Sequence, residues 1–315
     1  MQKIKRLIKA ALPAFIYFRI QERKKLNFKK KYLLNFINYL NESHSDLAIT
    51  VLDLGARLGL VDEGFAELKL LKNCQVIGVE ADKEECNRIL ADKSLGNYTR
   101  CDDLVLWTKK QEATIYITKL KGCSSILEPN TELLKDFQCG SWFDIEKKIP
   151  VLTTSFEQFC LSLPDLDYIK IDLQGIESDL LTAYPQITNL ATGISLEVQF
   201  EELYKQQKTF DHIHPLLRNN GFSLIKLHEE SDFYDGYCLE ANCSYLKKTS
   251  AKRFSKDNLL KMLLFCLMSS NIKATRSILQ KALKQNELKE LSKEISNVIG
   301  IDLAFEYYQL LGPHN

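Results

Sequence analysis

No stretch of about 18 apolar residues occurs in the chain, so the sequence predicts no conventional membrane-spanning helix. The nearest approach, Leu7 to Ile20, is broken by Lys9, Pro13 and Arg19, and it lacks the small-residue site at which a secretory signal is cut. Nine cysteines form no Cys-x-x-Cys pair, and no histidine stands beside them at ligand spacing. They read as small core residues in a reducing compartment, which makes a cytoplasmic location the expectation. Internal repeats and low-complexity linkers are missing as well. Net charge is almost absent: 42 Lys and Arg against 41 Asp and Glu leave +1, which gives no ground for a nucleic-acid partner.

What is present is globular. A composition of 45% hydrophobic and 26% charged residues excludes a disordered chain, and 315 residues exceed what one core usually organises. Near-neutrality also hides an asymmetry. Residues 1–31 contain eleven bases and a single acid, Glu22, so the start of the chain is strongly cationic and the remainder carries an excess of acid. Leu7, Ile8, Leu12, Phe15, Ile16 and Phe18 lie among those bases. Peripheral association with an anionic membrane, at its inner face, is the expectation for residues 1–31; an ordinary terminal helix with a solvated basic face is the alternative.

From Ile49 the pattern alternates. Apolar strands are predicted at Ile49 to Leu54, Gln75 to Glu80, Tyr98 to Cys101, Tyr168 to Leu173 and Gly193 to Val198, with helices after the glycine-rich Gly55 segment, at Glu84 to Leu90, at Ile176 to Ala183 and up to Asn219. Phe222 to Leu227 and Tyr237 to Leu246 read as an antiparallel closing pair, and Leu104 to Leu152 as an insertion over the sheet edge. The fold class is α/β, a doubly wound Rossmann-like sheet, mostly parallel, with helical appendages at both ends. The expected organisation is a basic helical arm over 1–46, a Rossmann-like domain over 47–250 and a helical extension over 251–315.

Ligands of such sheets bind at the carboxyl ends of the strands, and acids cluster there. Asp53 precedes Gly55 and Gly59 in an Asp-x-Gly-x-x-x-Gly loop, which differs from the dinucleotide Gly-x-Gly-x-x-Gly. An acid at Asp53 suits a ligand ammonium, and Gly55 suits close backbone approach. Gly59 would let the following helix approach the sheet. Glu80 ends the second strand where a ribose diol is bound in doubly wound folds. Asp102 or Asp103, after the third, would accept from an adenine amine. The densest block, Ile169-Lys-Ile-Asp-Leu-Gln-Gly-Ile-Glu177, carries Asp172 at a strand end and Glu177 at a helix start. Glu197 ends the next strand. Three carboxylates thus face one crevice, where Asp172 is the first candidate for a general base, and Glu177 and Glu197 for positioning a diol or holding Mg²⁺. His212 and His214 form an H-x-H pair on what reads as a surface helix.

These residues resemble the FkbM-type class I S-adenosylmethionine-dependent methyltransferases. The resemblance runs from about Val51 to about Leu246 and includes the glycine loop, the Val79-Glu80 pair and Ser124-Ser125. It also takes in the Ile169-to-Glu177 block, Leu196-Glu-Val with the downstream Tyr204, and Gly221-Phe222. It implies S-adenosylmethionine as cofactor and an O-methyltransferase acting on a sugar hydroxyl of a glycan or glycosylated metabolite, and self-association as a homodimer stays open. Arg57 in the glycine loop, Ser155-Phe156 and Glu240-Ala-Asn-Cys depart from the pattern. Two other readings stay open: a methyltransferase-like binding protein without catalysis at a membrane surface, and a nicotinamide-dependent oxidoreductase. The missing third glycine and Asp53 speak against the second.

Overall fold

The computed structural model describes residues 30–61, 64–229, 231–248 and 254–303. Seven strands form one sheet: β1 (Ile49–Leu54), β2 (Cys74–Val79), β3 (Tyr98–Asp102), β4 (Tyr168–Ile171), β5 (Gly193–Gln199), β6 (Phe222–Glu229) and β7 (Glu240–Lys247). Their order is β3-β2-β1-β4-β5-β7-β6. The first five pair in parallel, and β7 runs antiparallel to β5 and β6. The sheet is the doubly wound, Rossmann-like one expected, with its antiparallel strand slotted between β5 and the edge strand β6. Its direction of winding reverses at β1, so the switch point opens between β1 and β4.

Every residue of β1 is buried, as a central strand with both faces covered requires. Ile49 and Val51 point into one core, Leu52 and Leu54 into the other. The second core is closed by α3 (Glu177–Ala183), α4 (Phe210–Asn219) and the short helix Phe156–Cys160. The first is closed by α1 (30–43), α5 (Lys256–Met268), α6 (Ile272–Ala282) and α7 (Lys289–Ile299), which share apolar contacts with Val51, Val76, Tyr168 and Leu246. Between β2 and β3 runs α2 (Lys83–Ala91), whose start is fixed by Asp82 accepting from the Glu84 and Glu85 amides.

The helix expected after Gly59 does not form among the described residues. Gly64 adopts φ 90°, and only a 3-10 turn, Ala66–Leu70, fits before β2. Helix α5, from the far end of the chain, covers that sheet face instead. It is apolar nearly all round, as a helix enclosed by a sheet and other helices must be. The Phe265 ring lies 5.3 Å from that of Tyr168, and Gly193 makes the approach feasible, since a Cβ there would stand 2.3 Å from the Phe265 ring. Lys261 pairs with Asp167 at 2.6 Å and its carbonyl accepts from the Tyr168 hydroxyl.

The insertion between β3 and β4 also differs from expectation. Its hairpin, Glu112–Thr118 with Ile145–Leu152, forms a separate two-stranded sheet. The segment within that hairpin reaches across the carboxyl end of β5: Asn130 donates to the Leu203 and Glu202 carbonyls, and Cys123, Leu134, Cys139 and Phe143 form an apolar cluster with Leu203, Tyr204, Tyr234 and Leu239. The insertion therefore covers the ligand end of the sheet rather than its β3 edge. Among the described residues no helix is long and apolar enough to cross a membrane. The basic arm falls outside the described residues apart from its last two, Lys30 and Lys31.

Candidate active site

The glycine loop and the end of β4 are built against each other. Gly55 has φ 82°, and a Cβ on it would stand 1.8 Å from the Asp172 carbonyl oxygen, so only glycine fits. The Asp172 amide in turn donates to the Leu54 carbonyl at 2.8 Å. The close approach expected at Gly55 is thus made to protein. Gly59 likewise packs on Leu95, with no helix following it.

Asp53 is fully buried beneath this contact. Its carboxylate accepts from the Tyr98 hydroxyl and lies 3.5 Å from Lys170 Nζ, its register partner on β4. The structure therefore gives Asp53 to Lys170 where a ligand ammonium was expected, and the lysine of the Ile-Lys-Ile-Asp block has a reason to be there.

Past Asp172 the chain turns through Gln174, at φ 56°, and Gly175, at φ 105°. Glu177 makes the turn hold. Its carboxylate accepts from the Leu173 amide at 2.8 Å and the Gly175 amide at 3.0 Å, and it is 1% exposed. Its oxygens face back into the loop, so Glu177 positions Asp172 rather than meeting a ligand. Gln174 joins the other two acids: its Nε2 donates to Asp172 Oδ1 at 2.7 Å and to Glu197 Oε2 at 3.3 Å. The amide is itself held, with the Tyr204 hydroxyl 2.6 Å from Gln174 Oε1 and Ser125 Oγ donating to the Gln174 carbonyl at 2.7 Å.

Burial drives the protonation states here. It pushes Glu177 up to about 7, against the pull of the backbone amides, and raises Glu197 well above the usual carboxylate range with help from the charges of Glu240 and Asp172. A carboxyl raised on folding contributes stability that is full below its unfolded value, near 4.5, and is lost as pH rises through the folded one. Unfolding free energy is therefore expected to fall between pH 4.5 and 7, with a slope of up to about 1.4 kcal/mol per pH unit from Glu177 alone. Urea titrations across that window measure it, and Glu177→Gln should flatten the slope. A flat or rising wild-type profile would contradict the assignment. Glu85, held down to about 2 by Arg88, acts only below this window.

At the ends of β2 and β3, two of the expected cofactor acids are engaged by arginines. Glu80 Oε1 accepts from Arg57 Nη2 at 3.2 Å and from the Asp82 amide at 3.0 Å. Arg57 also reaches Asp82 at 3.1 Å, so this departure from the family pattern ties the glycine loop to β2. Both bonds fall on Oε1, and the other carboxylate oxygen is an acceptor of the kind that the hydroxyls of a ribose diol can donate to. Asp102 is gripped by Arg100, Nε to Oδ1 at 2.9 Å and Nη2 to Oδ2 at 2.6 Å, while Asp103 is exposed.

A cavity of about 330 Å³ opens beside Asp172 on the α5 side of the sheet. Lys170, Asp172, Ser195, Glu197, Lys226, His228, Asn242 and Ser244 line the sheet side, and Phe65, Met268 and Ser269 face them. Asp172 and Glu197 are thus brought together, whereas Asp53, Glu177, Glu80 and Asp102 surround them without lining it. His212 and His214 are elsewhere: His212 pairs with Asp211, and His214 stacks on Phe210 and bonds to Tyr245. Among the described residues no group of three or more His, Cys, Asp or Glu is placed to hold a metal ion; Asp172 and Glu197 are joined instead through the Gln174 amide.

Gln174, Glu240, Lys226, His228 and Asn242 were not singled out as site residues from the sequence. The glutamine stood in the family block, and Glu240 was visible only as a departure from it.

Residues 53–224 match the model of the methyltransferase FkbM domain. No curated protein matches the chain. Several solved structures are similar to it. Magnesium protoporphyrin IX methyltransferase (ChlM) from Synechocystis PCC 6803, with bound SAM, is 13% identical over 71% of this chain and 83% of that one, at TM-score 0.35. The glycopeptide N-methyltransferase MtfA complexed with sinefungin is 11% identical over 67% and 85%, at TM-score 0.32. The StiE O-MT segment 961–1257 is 11% identical over 76% and 79%, at TM-score 0.32. At these values none of them speaks to substrate or mechanism.

Proposed function

The chain belongs to the FkbM methyltransferase family, and from that membership we propose that it is an O-methyltransferase that moves the methyl group of S-adenosylmethionine to a sugar hydroxyl. The observation that carries the acceptor class is the cavity beside Asp172. Its sheet side is a field of hydroxyl, amide and charged groups, which suits a polyhydroxylated acceptor far better than an apolar one.

When bound, S-adenosylmethionine supplies an electrophilic methyl group on a sulfonium centre. Glu80 would hold its ribose diol and the Gly55–Gly59 loop would lie against it. The remaining work falls to the chain. A hydroxyl is a poor nucleophile until its proton has an acceptor, and Asp172 is placed to take it. Its Oδ1 is engaged by Gln174, which fixes the plane of the carboxylate. Burial and the neighbouring acids push Glu197 toward its protonated form, in which it would donate a hydrogen bond and orient the acceptor. The insertion excludes water above β5, and holding the two reactants in line supplies much of the rate.

Replacing Glu80 with Ala should weaken S-adenosylmethionine binding roughly 5- to 150-fold, the loss of a charge-assisted hydrogen bond to the diol. Calorimetry measures it, with nicotinamide dinucleotides as the control ligands. Unchanged affinity would remove Glu80 from the cofactor site. Binding of the dinucleotides in place of S-adenosylmethionine would overturn the proposed function.

A further inference from the structure

Cys86, on α2, and Cys101, in the last turn of sheet before Asp102, carry sulfurs 2.7 Å apart. No sequence spacing marks them as partners, yet this is well inside ordinary non-bonded contact for two thiols. It needs little further closing to reach the 2.03–2.05 Å of a disulfide. The two differ in access. Cys86 is 3% exposed, with its Sγ 3.5 Å from the Glu80 carbonyl oxygen, whereas Cys101 is only partly buried. Gly78 leaves the space that Cys101 occupies, since a Cβ on it would stand 3.1 Å from the Cys101 sulfur. Helix, strand and glycine thus converge on one sulfur pair, at the end of the sheet that carries Glu80 and Asp102.

We propose that Cys86 and Cys101 are a redox-modification site that takes a disulfide oxidant, such as oxidised glutathione, and closes to a cystine tying α2 to β3. The more accessible Cys101 sulfur attacks first, giving a mixed disulfide and releasing one glutathione, which takes up the proton. The Cys86 sulfur then displaces the second glutathione in the same way. Two protein S–H bonds are lost and one S–S bond is gained; the protein is oxidised and one oxidised glutathione becomes two reduced ones. Burial pushes both thiols up, so thiolate is scarce at neutral pH and closure runs faster at higher pH. The bond joins positions 15 apart in the chain and ties the first half of α2, which follows the end of β2, to the end of β3. The proposal does not depend on the methyltransferase reading.

The test uses the full native chain, incubated with oxidised glutathione at pH 7.0 and 8.5 without denaturant, then alkylated and weighed intact. The expected result is a loss of two hydrogen atoms, faster at the higher pH. A peptide linked through Cys86 and Cys101 should appear, and the melting temperature should rise by roughly 5 °C and fall back with dithiothreitol. In Cys86→Ser the reaction should stop at the mixed disulfide on Cys101. Full alkylation of both thiols after oxidation, or a cystine mapping to another pair, would overturn the proposal.

Discussion

Asp172→Asn should lower turnover by roughly 10²- to 10⁴-fold while S-adenosylmethionine affinity and melting temperature stay near wild type. The substitution keeps the oxygen that accepts from Gln174 and the backbone bond to Leu54, so the strand end should hold its shape. What is lost is the lone pair that takes the hydroxyl proton. Methyl transfer to the acceptor used by the wild-type chain, found by presenting a panel of glycans, is the measurement. Glu197→Gln should be milder, because glutamine is the neutral isostere of the protonated carboxyl toward which burial pushes this group. Near-normal turnover of the Asn variant would remove Asp172 from the role of base.

Lys170→Met is expected to destabilise the fold by about 3–5 kcal/mol, the usual cost of stranding one member of a buried ion pair. Asp53 is 0% exposed, so removing the ammonium takes a cation from beside a buried carboxylate that the Tyr98 hydroxyl also supports. The double variant Asp53→Asn with Lys170→Met removes both charges and keeps an acceptor for Tyr98. It should recover most of the loss, because a pair deleted together spares the protein an uncompensated charge. Urea unfolding of the two variants separates the cases. Equal destabilisation of single and double variants would mean that packing around Lys170, and not the pair, is what matters.

The central strands β1, β2 and β4 were legible because each is a short, mostly apolar run followed by an acid or glycine. Ile49–Leu54 and Tyr168–Ile171 need no partner to be recognised. The same local reasoning found Asp172 and Glu197 as strand-end acids. It failed wherever register or a distant segment decides. Asp53 looked available to a ligand because nothing in its own stretch shows that Lys170, more than a hundred residues on, lies beside it. Glu177 looked like a catalytic acid because a helix-start carboxylate gives no hint of whether it faces a cleft or folds back on its loop. Gln174 was hidden for a different reason: an amide becomes significant only once two carboxylates are seen to share it.

The burial of α5 bears on how the chain is made. Tyr168 and Gly193 present their faces to Phe265, a residue synthesised some seventy positions after the later of them. Until that segment leaves the ribosome, the α5 side of the nearly completed sheet is covered only in part, by α1 and the short turn that stands where a helix after Gly59 was expected. The domain is consequently poorly suited to folding step by step during synthesis. Its central layer is finished by a segment that follows β7, so a chain cut short there would expose much of an apolar sheet face and be prone to aggregation.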